Sequence, residues 1–215
     1  YSADTKGDYK AAIEKRLQDL CEGMFDKMFN RGSISDEELF NKNTIIDLSR
    51  TGSAETNALI MGFLVIKLNE FRMSEGGMNK SLRHVTVLEE AHNLLRKVSI
   101  SQSMETANVA GKSVEMITNS IAEMRTYGES FIIVDQSPSM LDSAAIRNTN
   151  TKIVLSLPDT EDRKVAGGSM SLSEEQIDEI ARQNQGEAIV YQNHWEEPVQ
   201  CKVDRFEDYV NDYVY

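Results

Sequence analysis

Residues Arg83 to His92 read RHVTVLEEAH, an apolar and β-branched run that ends in two adjacent acids, Glu89 and Glu90, followed by Ala91 and His92. A run of this kind is a strand buried on both faces, as a parallel sheet between helical layers requires. Carboxylates at the tip of such a strand lose hydration and are costly unless they meet a cation or a polar ligand. They can equally open the next helix, where acids complement the positive end of the dipole. On this stretch alone both readings stay open.

Upstream, Thr44 to Leu48 (TIIDL) reads as another buried strand, and Ser53 to Arg72 as a helix apolar on nearly every side, sandwiched between layers. Ser74 to Ser81 is a loop. Gly7 to Asn30 carries Ile13, Leu17, Leu20, Met24, Phe25 and Met28 at three- and four-residue intervals, the spacing of a helix. Arg31 to Asn43 is a polar connector with a short helical turn at Asp36 to Phe40.

Downstream, Gln102 to Tyr127 reads as one long helix and Phe131 to Val134 as a third buried strand, closed by Asp135-Gln136-Ser137-Pro138. A short helix near Asp142 to Asn148 leads to a fourth strand, Lys152 to Leu157. Ser173 to Gln183 is a helix opened by a capping box, Ser173 with Gln176, and stopped at Gly186. Gly167-Gly168-Ser169 reads as a loop before it. Ala188 to Tyr191 and Val199 to Val203 form a hairpin with Asn193-His194-Trp195 at its tip.

Apolar strands alternating with helices predict an α/β fold, a mostly parallel sheet with helices on both faces. An N-terminal helical segment (1–43) precedes this core (44–215), which ends in the hairpin. Ligands of such sheets bind at the carboxyl ends of the strands, which singles out Asp47 to Arg50, Glu89 to Asn93 and Asp135 to Ser139.

Composition sets outer bounds. The chain has 215 residues, 40% hydrophobic and 27% charged, with a formal net charge of −12. Its most apolar stretch, Ala58 to Leu68, is well short of the roughly 20 residues of a membrane span. Two cysteines, Cys21 and Cys201, exclude a disulfide scaffold and fit a reducing compartment, so a cytoplasmic location is expected. The acidic balance disfavours a chain that wraps nucleic acid with its whole surface, while a local basic patch remains compatible. The first residue is Tyr1 rather than Met, which suggests a piece of a longer protein.

Within that frame, chemistry concentrates at the strand tips. In nucleotide-hydrolysing folds the first acid of such a pair helps hold the Mg²⁺ of Mg-ATP through water, and the second polarises the attacking water, roles that fall to Glu89 and Glu90. Gln136 carries a carboxamide, able to donate to a phosphate oxygen and accept from a water, which suits sensing a γ-phosphate. Asp135 with Pro138 is also simply a capped and stiffened loop. Arg125, near the end of the long helix, could neutralise transition-state charge in its own subunit or across an interface, or could be a solvated cation at a helix end. Gly111-Lys112-Ser113 looks like the end of a phosphate loop. However, Thr106 stands where the first glycine belongs, no strand precedes it, and the surroundings are helical. His84, His92 and His194 lack ligand spacing with the cysteines, so no metal beyond Mg²⁺ is implied.

The order HVTVLEEAH, then IAEMRTYGESFIIVDQSPSMLD, then IRNTNTKIVLSLPDTEDRKVAGG resembles the C-terminal part of the HerA-type ATPases. These are hexameric DNA translocases of the RecA-like P-loop class, related to FtsK and to conjugative-transfer ATPases. The resemblance covers roughly Asn43 to Asp204. It implies a three-layer RecA-like core acting on ATP with Mg²⁺, double-stranded DNA as substrate, a homo-hexameric ring, a nuclease partner and no membrane. It also implies that Glu89 and Glu90 are the Walker B acids with Glu90 catalytic, Gln136 the polar sensor and Arg125 an arginine finger, with Arg147 and Arg163 in similar stretches. Many relatives have Asp-Glu where this chain has Glu-Glu, and the family's phosphate loop would precede Tyr1, so the chain alone is expected to be inactive. Two other readings stand beside this one: a non-catalytic α/β interaction module in which the two acids only cap a helix, and a motor whose cargo is protein or conjugative single-stranded DNA.

Overall fold

The structure, a computed structural model, describes residues 34–97 and 104–205 (side chains of the second segment from 111 onward) and positions 10, 11, 14, 15 and 18. The chain divides into two compact units, Tyr1–Ile46 and Asp47–Tyr215. Most of the expected Gly7 to Asn30 helix lies outside the described residues, although the described positions within it are helical.

In the first unit, α1 (Asp36–Phe40) starts at Ser35, whose hydroxyl accepts from the Glu38 N–H, and buries Phe40. The strand expected at Thr44 to Leu48 does not form: those residues are irregular and Ile45 is 95% exposed. A β-branched run becomes a strand only against a ladder partner, and among the described residues it has none.

In the second unit, α2 (Ala54–Ser74) is capped by Ser53, which accepts from the Thr56 N–H. It buries Ile60, Met61, Val65 and Leu68 and leaves Leu59, Phe63 and Ile66 exposed, so among the described residues it is covered on one face rather than sandwiched. β1 (His84–Glu89), α3 (Met104–Met124) with a 3-10 turn at Arg125–Tyr127, and β2 (Glu129–Val134) follow. α2 and α3 pack against each other, with Gly62 of α2 close to Leu94 and Ile117. Gly111-Lys112-Ser113 lies inside α3, where backbone N–H groups are already engaged in the helix ladder, so it is no phosphate loop.

β1 and β2 pair in parallel, His84 opposite Glu129 through to Glu89 opposite Val134. Leu88 and the other even positions of β1 face the packed side, while Val85, Val87, Ile132 and Val134 are exposed on the other. The chain continues through α4 (Ser143–Asn148), β3 (Thr151–Val154), α5 (Thr160–Gly168), α6 (Glu174–Glu179), β4 (Glu187–Gln192) and β5 (Val199–Lys202). The predicted capping box of α6 is present in both halves, Ser173 with Gln176. β4 and β5 form the expected hairpin.

Two further details differ from the sequence expectation. β3 pairs antiparallel with β4, so β3, β4 and β5 make a separate antiparallel sheet, and among the described residues only β1 and β2 are parallel. Periodicity identifies a strand but not its partner. Glycines 167 and 168 close helix α5 instead of forming a loop. The core beneath the antiparallel sheet is Met170, Ile180 and Ile189, with Val154, Leu157, Leu172 and Tyr191 against it. No helix among the described residues is long and apolar enough to cross a membrane.

Candidate functional site

Parallel pairing carries the exits of β1 and β2 to the same sheet edge. Because Glu89 lies opposite Val134, the next residues, Glu90 and Asp135, leave side by side. Gln136 follows by one residue, and its Nε2 donates to Glu90 Oε1 at 2.8 Å. Both side chains are exposed, as groups that meet a ligand and a water must be. Glu90 stands at φ 49°, ψ 49°, the left-handed region that a side chain with a Cβ rarely adopts. It opens a 3-10 turn (Ala91–Asn93), and Asn93 donates to its carbonyl from both its backbone N–H at 2.9 Å and its side chain at 3.0 Å. A 3-10 turn rather than an α-helix follows β1, and the Glu90 side chain makes no cap hydrogen bond to it.

Glu89 ends β1 with an exposed carboxylate that no hydrogen bond or ion pair occupies among the described residues. A free hard-oxygen ligand at a sheet edge fits a hydrated Mg²⁺. Asp135 is different: its carboxylate is 3% exposed. Oδ2 accepts from the His92 N–H at 2.7 Å and lies 3.0 Å from His92 Nδ1, and Oδ1 accepts from the Ser137 N–H at 2.8 Å. His92 Nδ1 is also 3.4 Å from Glu90 Oε2. Ligand atoms of Glu90, His92 and Asp135 all lie within 4.8 Å of one another. N–H donors already occupy both Asp135 oxygens, so hydrogen bonds account for this group without a cation. A little further on, the buried Asp162 of α5 accepts from the Ser139 N–H at 2.9 Å and ties down the loop that carries Gln136.

Arg125 does not join this group. It lies in the 3-10 turn just before β2, at the amino end of the strand, whereas Gln136 lies past the carboxyl end. A six-residue strand spans about 20 Å, so within one subunit the Arg125 guanidinium cannot face Glu90. Arg147 ends α4, exposed. Arg163 is occupied with the Leu157 and Pro158 carbonyls and the Thr160 hydroxyl. His92 and Asp135 lie in the stretches that the sequence singled out but received no part in the chemistry there, and Asp162 lies outside those stretches. The one available signal was that His92 and Asp135 flank the two strand exits.

A parallel strand pair packed by long helices is the arrangement of the RecA-like P-loop fold. The genome packaging NTPase B204 of Sulfolobus turreted icosahedral virus 2 shares it with a TM-score of 0.53 at 12% identity, over 80% of this chain and 73% of that one. VirB4 of Thermoanaerobacter pseudethanolicus does so with a TM-score of 0.52 at 15% identity, over 72% of this chain and 39% of that one.

In sequence, the chain is similar to the DNA double-strand break repair helicase HerA of Sulfurisphaera tokodaii and of Sulfolobus acidocaldarius. Each is 26% identical over 208 residues, covering 95% of this chain and 40% of the relative. The resemblance to HerA-type ATPases read from the motifs is borne out, by relatives of which this chain spans about two-fifths of the length. No family model matches the chain.

Proposed function

We propose that the chain is part of a longer HerA-type protein that hydrolyses ATP to move along double-stranded DNA, and that it supplies the water-activating side of the nucleotide site. The observation that carries this reading is the hydrogen bond between Gln136 Nε2 and Glu90 Oε1, 2.8 Å long, at the carboxyl edge of the parallel strands. It joins two groups from different strands that the chemistry needs together. Glu90 accepts the proton of the attacking water, and Gln136 hands its amide N–H from Glu90 to a γ-phosphate oxygen when nucleotide is bound. Glu89 would hold Mg²⁺ through water. The metal, when bound, neutralises charge on the β- and γ-phosphates.

Similarity to proteins named DNA repair helicases supports DNA as the substrate. The acidic net charge of −12 is compatible with it, because in a ring only the pore faces DNA. A homo-hexamer, a nuclease partner and a cytoplasmic location complete the reading. Arg125 serves as the arginine finger of a neighbouring subunit's site.

The test is Glu90→Gln in the full-length protein. Turnover should fall at least about 100-fold, the scale of losing a general base, while nucleotide affinity is kept. Unchanged turnover would leave Glu89 and Glu90 without a catalytic role and favour a non-catalytic interaction module.

A further inference from the structure

We propose that Asp135 and His92 are positioning residues that hold Glu90 and Gln136 in their reactive arrangement. This inference rests on the ATPase reading above. The geometry is a closed ring. Gln136 donates to Glu90 Oε1, Glu90 Oε2 lies 3.4 Å from His92 Nδ1, His92 bonds Asp135 through ring and backbone, and Asp135 is joined to Gln136 by one peptide bond.

One buried carboxylate thereby fastens the residue two places after Glu90 to the residue one place after Gln136. Three donors converge on Asp135, and they come from both strand exits, so neither loop can move without stretching a charge-assisted bond. The need for such a clamp is local. Glu90 sits in left-handed backbone geometry, which a surface turn does not keep unless its surroundings over-determine it. If the Ala91–Asn93 turn relaxes, the Glu90 carboxylate leaves Gln136 and the attacking water loses its base. The clamp works through Glu90 and Gln136, so it should act on the alignment of the reacting groups rather than on binding.

The experiment uses the full-length protein and measures kcat and KM for ATP, equilibrium affinity for a non-hydrolysable ATP analogue, and thermal melting. Asp135→Asn sets an NH₂ group against either the His92 donors or the Ser137 N–H. His92→Ala removes the ring. Both should lower kcat about 10- to 100-fold, as losses of supporting contacts do, with KM and analogue affinity within about twofold of wild type.

His92→Asn places an amide N–H near the former Nδ1 and should recover most of kcat. A His92→Ala enzyme with wild-type kcat, or a His92→Asn enzyme no better than His92→Ala, overturns the proposal. So does a loss of analogue affinity that matches the loss of kcat. If His92→Ala melts too low to assay, His92→Asn against Asp135→Asn decides the matter in the same way. Glu90→Gln measured alongside separates the two ideas: turnover that survives in Glu90→Gln refutes the ATPase reading itself, whereas its loss together with unaffected His92 variants refutes only the clamp.

Discussion

Glu90 shows at the scale of one residue how a site can hold strain. Its φ of 49° and ψ of 49° place Cβ against its own backbone, at a cost on the order of 1–3 kcal/mol for a non-glycine residue. Glycine removes that cost but also the carboxylate. Glu90→Gly should therefore unfold at the same or a higher urea concentration than the native chain, by up to about 1 kcal/mol in stability, while losing ATP turnover as completely as Glu90→Gln. A variant distinctly less stable than the native chain would mean that the side chain holds the turn together, contrary to the strain argument. The adjacent pair of acids was legible in the sequence, and so was Gln136. The left-handed turn was not, because no glycine or asparagine at position 90 announces it.

Among the elements, the amino ends of β1 and β2 are locked by a different kind of contact. Glu129, fully buried, takes Arg72 Nε at 2.9 Å, His84 Nδ1 at 2.7 Å and the Thr86 hydroxyl at 2.7 Å, and the Arg72 side chain is 0% exposed. This network pins the last turn of α2 to both strands. Gly128 precedes it at φ 82°, where a Cβ would stand 2.4 Å from the Ser81 carbonyl oxygen, so the chain passes too closely there for any side chain. Removing Glu129 takes the buried partner from Arg72 Nε while Glu75 still pairs its other end: Glu129→Leu should cost about 3 kcal/mol in urea denaturation, and adding Arg72→Met should recover a large part of it. Equal losses in the single and double variants would show that burial there stabilises through packing alone.

Glu75, at the end of α2, is a gentler case. Burial works to raise its pKa, but the hydrogen bonds and charges of Arg83 and Arg72 outweigh burial and hold it below the ordinary 4.5. The stability it adds is complete above that ordinary value and is lost as pH falls through the lowered one. Glu75→Gln should accordingly flatten the acid limb of a stability–pH curve and leave the curve near pH 9 parallel to wild type.

What the sequence revealed at this scale followed from local rules: His84 to Leu88 was read one residue short of β1, and the Ser173 cap stands as expected. The misses required knowledge of neighbours. Gly167 packs so tightly that a Cβ would lie 2.5 Å from Ile177 Cγ1, so a glycine pair that reads as a loop instead completes a helix interface. Thr44 to Leu48 has strand composition and, among the described residues, no strand to pair with. Asp135 and His92 acquire their meaning only once the register sets Glu90 beside Asp135.

For the whole molecule, the proposed arginine-finger role of Arg125 sets how many chains would make one site. On the proposed ATPase reading, a cation at the amino end of β2 would complete the Glu90–Gln136 pair, which lies past the carboxyl end, from another copy. In a ring built from one repeated interface, every subunit then offers Glu90 to one neighbour and Arg125 to the other. Arg125→Ala and Glu90→Gln would each abolish turnover when pure. Mixed in equal amounts before assembly, they would regenerate intact sites wherever an Arg125→Ala subunit supplies Glu90 and a Glu90→Gln neighbour supplies Arg125. Random mixing makes about one site in four intact, so roughly a quarter of wild-type turnover should return if the sites fire independently. An arginine acting within its own subunit returns none, since every site then lacks one of its two groups. Full turnover by pure Arg125→Ala would instead reduce that residue to a solvated cation at the end of a helix.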